Sequence, residues 1–210
     1  MVKQIAKRCL VALMVLSAVI GLPSSWAAEP AELPAPGQFI EKLGAELLAR
    51  LSTDPKLVAG DSQAVRALVD EMVLPVLAFE QMTASTVGPA WRAASTAQRN
   101  ALQYEFKLLL VRTYAGALKQ LQGKKLVVFP VRMRPTDTEV TVRSEIQGLG
   151  SEPVPLAYRL SRDGASWVIY DINVVGIWLV ETYRTQFAQQ IQKSGVDGLI
   201  QALKRLNGNS

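Results

Sequence analysis

The side chains that enzymes most often use as nucleophiles and bases are scarce in this sequence of 210 residues. It contains no histidine, and its single cysteine is Cys9. Serine–histidine and cysteine–histidine catalysis therefore lack a partner, and imidazole or thiolate metal sites lack ligands. Glycine-rich phosphate loops of the P-loop or dinucleotide type are also missing. We predict no catalytic residues, no metal site and no cofactor.

The acidic residues give little support to an acid–base site. Asp70 and Glu71 are adjacent, so their side chains would diverge on a helix. Asp171 falls in the middle of a predicted strand, where carboxylates are uncommon. Paired with a tyrosine, it keeps a small histidine-free enzyme open as an alternative function. We favour a hydrogen-bonded structural aspartate, because no converging set of polar residues accompanies it.

Apolar and aromatic side chains are plentiful and could either fill a core or line a ligand cavity. Periodicity alone does not distinguish a solid interior from a hollow one. The aromatic candidates for either role are Phe79, Trp91, Phe106, Tyr114, Phe129, Tyr158, Trp167, Tyr170 and Trp178.

The first 27 residues have the pattern of a cleavable secretory signal peptide. Lys3, Lys7 and Arg8 precede an uncharged apolar run over 9–21, which is too short to cross a bilayer as a helix. Small residues lie where cleavage after Ala27 requires them. Removal of residues 1–27 takes away three of the 23 basic residues and none of the 18 acidic ones, so the net charge falls from +5 to +2. We expect an exported single domain over 28–210 that has no cysteine, does not bind nucleic acid and is a monomer.

Helical periodicity covers both ends of this domain. Three amphipathic stretches precede Gly88, with breaks at Asp54–Pro55 and Pro75. The capping box Ser95-Thr96-Ala97-Gln98 opens a helix that we expect to end near Gln122. Its apolar positions cover a wider arc than one core-facing stripe needs, so either neighbours cover two sides or part of the arc faces a ligand. After Gly176 we predict a helix over 177–191, a break at 194–195 and a last amphipathic helix.

Between these helical regions the apolar periodicity changes to two, which predicts four strands over 126–134, 139–147, 154–161 and 166–175. The connections are short, and Asp163-Gly164 is a tight-turn signal, so an antiparallel meander is expected. The predicted fold class is α+β, with a four-stranded antiparallel sheet packed against a layer of helices. Gly176 would join the last strand directly to a helix, where its backbone freedom could act as a hinge.

A series of short blocks over about 40–206 has an order and spacing that are specific when taken together. The positions are 77–82, 87–88, Trp91, 98–99, Phe106, 109–110, 114–115, 167–172, 176–177, 179–180, 183–184, 186–187, 195–196, Leu199 and Leu203. At these positions the chain resembles a known family, the MlaC-type periplasmic phospholipid-binding proteins, also called toluene-tolerance auxiliary proteins. Trp178 stands where the family commonly has a small residue, and if that position lines the mouth of a cavity, its indole would narrow it.

This resemblance implies a periplasmic carrier that shuttles phospholipids between an outer-membrane lipoprotein complex and an inner-membrane ABC transporter complex, maintaining outer-membrane lipid asymmetry. It also implies a hollow core, with acyl chains held in an apolar cavity between sheet and helices. A chaperone or lipoprotein carrier with an apolar cleft is the other non-enzymatic alternative. The residues expected to bind lipid are Phe79, Met82, Trp91, Phe106, Leu109, Leu110, Tyr114, Phe129, Val131, Val142, Tyr158, Tyr170, Val175 and Trp178.

Overall fold

Helices precede and follow an antiparallel sheet in the computed structural model, which describes residues 35–208. The predicted signal peptide lies outside the described residues. The helices are α1 (Pro36–Thr53), α2 (Pro55–Ala59), α3 (Ser62–Leu68), α4 (Phe79–Val87), α5 (Ala90–Ala93), α6 (Thr96–Gln120) and α7 (Leu179–Asn207), with a π-helical turn at Val69–Val73 and a 3₁₀ turn at Leu74–Val76. The strands are β1 (Lys125–Val128), β2 (Glu139–Gln147), β3 (Val154–Asp163), β4 (Ser166–Val174) and β5 (Ile177–Trp178).

The helix boundaries follow the sequence signals closely. Ser95 Oγ accepts the backbone N–H of Gln98 at 3.2 Å, and Gln98 Oε1 accepts the N–H of Ser95 at 3.0 Å, so the predicted capping box opens α6. Asp54 accepts the N–H of Lys56 and begins α2 after the predicted break. Helix α7 is interrupted at Ser194 and Gly195, where the backbone leaves the helical region.

The α+β fold class is confirmed, but the sheet has five strands where four were predicted. The strand order is β1-β2-β3-β4-β5, so every neighbouring pair is consecutive in sequence. Strand β1 ends at Val128, well before the predicted position 134. Pro130 follows closely and has no N–H to contribute to a ladder, which accounts for the early end.

The fifth strand corrects the prediction that Gly176 joins a strand directly to a helix. Val175 and Gly176 have φ values of 52° and 85° and form a two-residue turn, after which Ile177 pairs with Val174 and Trp178 with Asn173. Positive φ at both turn positions is typical of a type I′ hairpin. Helix α7 therefore begins at Leu179, two residues after the predicted start.

The apolar interior contains a packed aromatic cluster formed by Phe79, Phe106, Tyr183 and Phe187. Phe106 is at its centre, with ring centroids 5.0 Å from Tyr183, 5.2 Å from Phe187 and 5.8 Å from Phe79. These rings join α4, α6 and α7. In the part of the chain that the structure describes, no helix combines the length and the apolar character needed to span a membrane.

Candidate functional site: an apolar cavity between sheet and helices

An open cavity of about 470 Å³ lies between α6, the inner face of the sheet and the segment that contains the π-helical and 3₁₀ turns. This volume is within the range of small-molecule sites, about 300–1,000 Å³. The lining residues are Leu47, Val69, Leu74, Leu77, Phe79, Met82, Lys107, Leu110, Val111, Tyr114, Ala117, Leu118, Gln120, Leu121, Ile146, Leu149, Val154, Leu156, Tyr158, Ile172, Val174 and Leu179. Lys107 is the only charged member of this described set.

Helix α6 provides one long wall of the cavity. Lining positions recur every three or four residues from Lys107 through Leu110, Tyr114 and Leu118 to Leu121, as one face of a helix requires. At about 1.5 Å of rise per residue, this stripe is about 21 Å long. The wide apolar arc of α6 is thus divided, because one part lines the cavity and another part, including Leu102 and Phe106, packs in the core with α7.

The sheet provides the opposite wall through alternate residues of β3 and β4. Leu156 pairs with Val174 and Tyr158 with Ile172, so all four side chains point to the same face. Further along the same strands, Leu160 pairs with Ile169, and Tyr170 is left without an opposite residue. This β-bulge shifts the inward-facing positions of β4 from odd to even numbers.

The two tyrosines in the cavity are uncharged at neutral pH. Burial raises the pKa of both the Tyr114 and the Tyr158 phenols above the ordinary value of 10.0. Tyr158 also has its hydroxyl 3.5 Å from Ser144 Oγ. Apart from the one lysine, the cavity therefore presents hydrocarbon, neutral hydroxyl groups and the Gln120 amide to whatever fills it.

Asp171 lies outside the cavity and has a structural environment. Its Oδ1 accepts the N–H groups of Ile172 at 2.9 Å and Val180 at 3.1 Å, and its Oδ2 accepts Arg159 Nη1 at 3.1 Å. The side chain is almost fully buried, and this burial raises the carboxyl pKa even though these hydrogen bonds favour the ionised form. Asp171 thus connects β4 to the first turn of α7 through hydrogen bonds. This agrees with the hydrogen-bonded structural aspartate that the sequence favoured.

Five of the fourteen residues expected to bind lipid line this cavity. They are Phe79, Met82, Leu110, Tyr114 and Tyr158. They come from α4, α6 and β3, so residues far apart in sequence meet at one cavity, as expected.

Four more of the expected residues belong to the packed interior rather than to the cavity wall. Phe106 and Val142 are fully buried in two different core clusters. Trp91 and Leu109 pack with Phe106 on the side of α6 that faces α7. The sequence identified these positions as interior, but the side of the helix or strand that each would occupy depends on neighbouring elements.

The last five expected residues lie on other surfaces. Phe129 and Val131 border a separate groove beside the start of α1. Tyr170 occupies the bulge and has its hydroxyl 3.3 Å from Glu139, while Val175 is at the exposed hairpin turn. Trp178 stacks against the Arg159 guanidinium at 3.9 Å and is not among the residues that line the cavity, so the condition under which its indole would narrow the mouth is not met there.

Several cavity residues were absent from the sequence prediction. Ile172 and Val174 were missed because their inward direction depends on the bulge in β4. Leu156 did carry a signal, since it lies two residues before Tyr158 on β3 and therefore on the same face. Leu74 and Leu77 come from an irregular segment whose position follows from no periodicity. Leu118 and Leu121 did carry a signal, since they continue the helical spacing from Leu110 and Tyr114.

Among residues 35–208, no three histidine, cysteine, aspartate or glutamate side chains cluster as a metal site would require. The cavity wall itself contains one ammonium group, two phenols and one amide among apolar side chains. Such a wall can shield hydrocarbon from water and can contact an anionic group at one place. It offers no carboxylate for acid–base chemistry.

Comparison with known proteins decides the family. The model of the MlaC protein family matches residues 41–205, which is most of the chain. The chain belongs to the MlaC family. The resemblance inferred from the short sequence blocks is therefore confirmed.

Individual members of the MlaC family and a solved structure agree with this assignment. Over 163 residues the chain is 24% identical to the toluene tolerance protein ttg2D of Pseudomonas putida, covering 77% of this chain and 75% of that protein. It is 21% identical over 173 residues to the MlaC binding protein of the intermembrane phospholipid transport system in Haemophilus influenzae, covering 81% of each. A phospholipid-binding protein from Ralstonia solanacearum, solved in complex with a phospholipid, is 38% identical with a TM-score of 0.79, covering 85% of this chain and 98% of that one.

Proposed function

We propose that this protein is a phospholipid carrier that holds acyl chains in the cavity between α6 and the sheet. The observation that carries the proposal is the apolar lining of a 470 Å³ cavity in a chain whose fold matches a protein solved with phospholipid. Transfer of one methylene out of water is worth about 0.8 kcal/mol. For two chains of about 16 carbons, the free energy of transfer out of water is therefore roughly 25 kcal/mol, and an aqueous compartment requires a carrier that shields them. Binding and release suffice for this function, and it needs no catalytic step.

The periplasm is the compartment that fits this role. Residues 1–27 have the order of a signal peptide, and the remaining chain has no cysteine to be oxidised there. The carrier would travel as a monomer between an outer-membrane lipoprotein complex and an inner-membrane ABC transporter complex. Family membership supports these partners.

Release must depend on a partner, since a cavity that retains lipid tightly would also prevent its delivery. A membrane offers acyl chains nearly the same apolar environment, so the net free energy of capture is far below the gross transfer value. A docked complex that binds an opened form more tightly than the closed form would shift the population towards release.

The proposal is tested by purifying the protein under native conditions from the cells that made it, extracting it with organic solvent and analysing the extract by mass spectrometry. We expect phospholipid from the wild type and none from the Leu110→Asp variant, because an ionised carboxylate in an apolar site excludes hydrocarbon. Leu206→Asp is the matched control, since Leu206 is an exposed leucine on α7 outside the cavity. It should retain lipid as the wild type does.

Different outcomes distinguish the alternatives. Lipid-free wild-type protein would contradict the proposal. Co-purified polypeptide would favour a chaperone or lipoprotein carrier, and a converted small molecule would favour an enzyme. Equal lipid in folded Leu110→Asp and wild type would place the lipid outside this cavity.

A further inference from the structure

The single cation among the described residues of the cavity wall calls for an explanation. An ionised group beside apolar surface is costly unless a partner compensates it. The Lys107 side chain is 24% exposed, and its Nζ donates a hydrogen bond to Asp70 Oδ1 at 3.1 Å. Asp70 is itself 52% exposed, so the ammonium is held where the cavity approaches solvent.

We propose that Lys107 binds the phosphate of the carried phospholipid. This inference rests on the proposed function and adds the residue that recognises the head group. A lysine ammonium has three N–H donors, and the structure records one hydrogen bond from it, to Asp70. The other donors can reach phosphate oxygens. Exposed ion pairs such as Lys107–Asp70 contribute little to stability, so the ammonium can be shared with a phosphate at small cost.

The position of Lys107 along the cavity matches the polarity of a phospholipid. It is the first lining residue on α6, and the stripe continues through Leu110, Tyr114 and Leu118 to Leu121. A phosphate at Lys107 would direct its acyl chains along this apolar stripe. The order of charge followed by hydrocarbon is the order found in the lipid itself.

The π-helical turn places the acidic partner. Asp70 and Glu71 diverge as their adjacency predicts, with Asp70 bonded to Lys107 on α6 and Glu71 accepting Arg50 Nη1 of α1 at 3.0 Å. Val69, in the same turn, lines the cavity. This irregular turn therefore brings both cavity wall and counterion to Lys107, and such turns are frequent at functional sites.

The inference is tested with delipidated full-length mature protein and vesicles containing either phosphatidylglycerol or a diacylglycerol with the same chains. Phosphatidylglycerol has the phosphate, and diacylglycerol lacks it. Lys107→Met keeps most of the apolar stem and removes the charge. The amount of phosphatidylglycerol that stays bound to the protein should therefore fall about tenfold, while the amount of bound diacylglycerol should not change. Lys119→Met, at an exposed position on the same helix outside the cavity, should change neither.

A second variant tests the competition directly. Asp70→Asn leaves Lys107 without its anionic partner and should raise retention of phosphatidylglycerol several-fold. If Asp70→Asn instead loses as much phosphatidylglycerol as Lys107→Met does, the ion pair has only a structural role in the cavity wall, and the inference is overturned. Equal retention of both lipids by Lys107→Met and wild type, or an equal loss of both, would also overturn it. These results leave the proposed function standing, whereas failure of the wild type to retain any phospholipid would overturn both.

Discussion

Helix α6 contributes to two neighbouring regions that are packed very differently. Towards α7, Leu102 and Phe106 are enclosed by other side chains, and the rings of the aromatic cluster meet at centroid distances of 5.0–5.8 Å. Towards the sheet, Leu110 and Leu118 face an open cavity of about 470 Å³. Phe79 and Leu110 belong to both regions and lie at the boundary between them.

The difference between the regions lies in what faces α6 and not in α6 itself. Both regions use leucine and aromatic side chains from the same helix. The helices α4 and α7 pack their side chains directly against it, whereas an open cavity lies between it and the sheet. A filled region contributes stability, and an unfilled region keeps binding capacity, so truncation should have different consequences in the two.

The largest expected difference is in the free energy of unfolding of two leucine-to-alanine variants on α6. Leu102 is 0% exposed in the packed region, so Leu102→Ala should lose about 3–5 kcal/mol through lost transfer free energy and a new cavity. Leu118 is half-buried, lining the cavity on one side and packing against the buried cluster around Val111 on the other. Leu118→Ala should therefore lose only about 1 kcal/mol, since it removes about three methylene-sized groups that are partly exposed. Denaturant unfolding of the delipidated proteins measures both values. Equal losses would mean that the cavity is closed in solution.

A smaller effect is expected at the β4–β5 turn, which belongs to neither region. Val175 has a φ of 52° and is 59% exposed, and a β-branched residue in this conformation is strained. Asparagine is preferred at the first position of a type I′ turn, so Val175→Asn should raise the free energy of unfolding by about 1 kcal/mol. The control Val175→Thr keeps the β-branch and should give no such gain. Loss of lipid from a stable Val175→Asn variant would instead extend the binding site to this turn.

The smallest expected effect concerns pH at the junction where Asp171 joins the sheet to α7. Burial raises the pKa of the Asp171 carboxyl above 3.8, so the folded protein takes up this proton at a higher pH than the unfolded chain. As pH falls through the raised pKa, the wild type should gain stability relative to Asp171→Asn, with the gain complete below about 3.8. The free energy of unfolding of both proteins, measured from neutral pH down to about 3.8, shows whether the difference grows as predicted. A difference that is constant with pH, or that shrinks as pH falls, would contradict the assignment.

Much of the fold could be predicted because its signals are local. The capping box at Ser95, the turn at Asp163-Gly164 and the break at Ser194–Gly195 each depend on a few adjacent residues. The α+β class followed from the change in periodicity. The short fifth strand was missed because positive φ at Val175 is unusual for that residue type.

The candidate site was predicted less completely because it depends on distant packing. Tyr114 could be placed in the interior from its spacing, but so could Phe106, and only the position of α7 separates them. On β4, the unpaired Tyr170 reverses which side chains face inward, and no short pattern marks that bulge. Lys107 was missed because a lysine on a helix usually indicates a solvated face.

The contrast between the cavity and the packed region can be measured directly with a phospholipid that has a nitroxide on its acyl chain. In the loaded protein with ¹³C-labelled leucine and valine methyl groups, paramagnetic broadening reports which side chains the chain approaches. We predict strong broadening for Leu118, Leu156 and Val174, and little for Leu102 and Leu199, which lie in the packed region with α7. Broadening that is equal in both sets, or absent from the cavity methyl groups of lipid-loaded protein, would contradict the account.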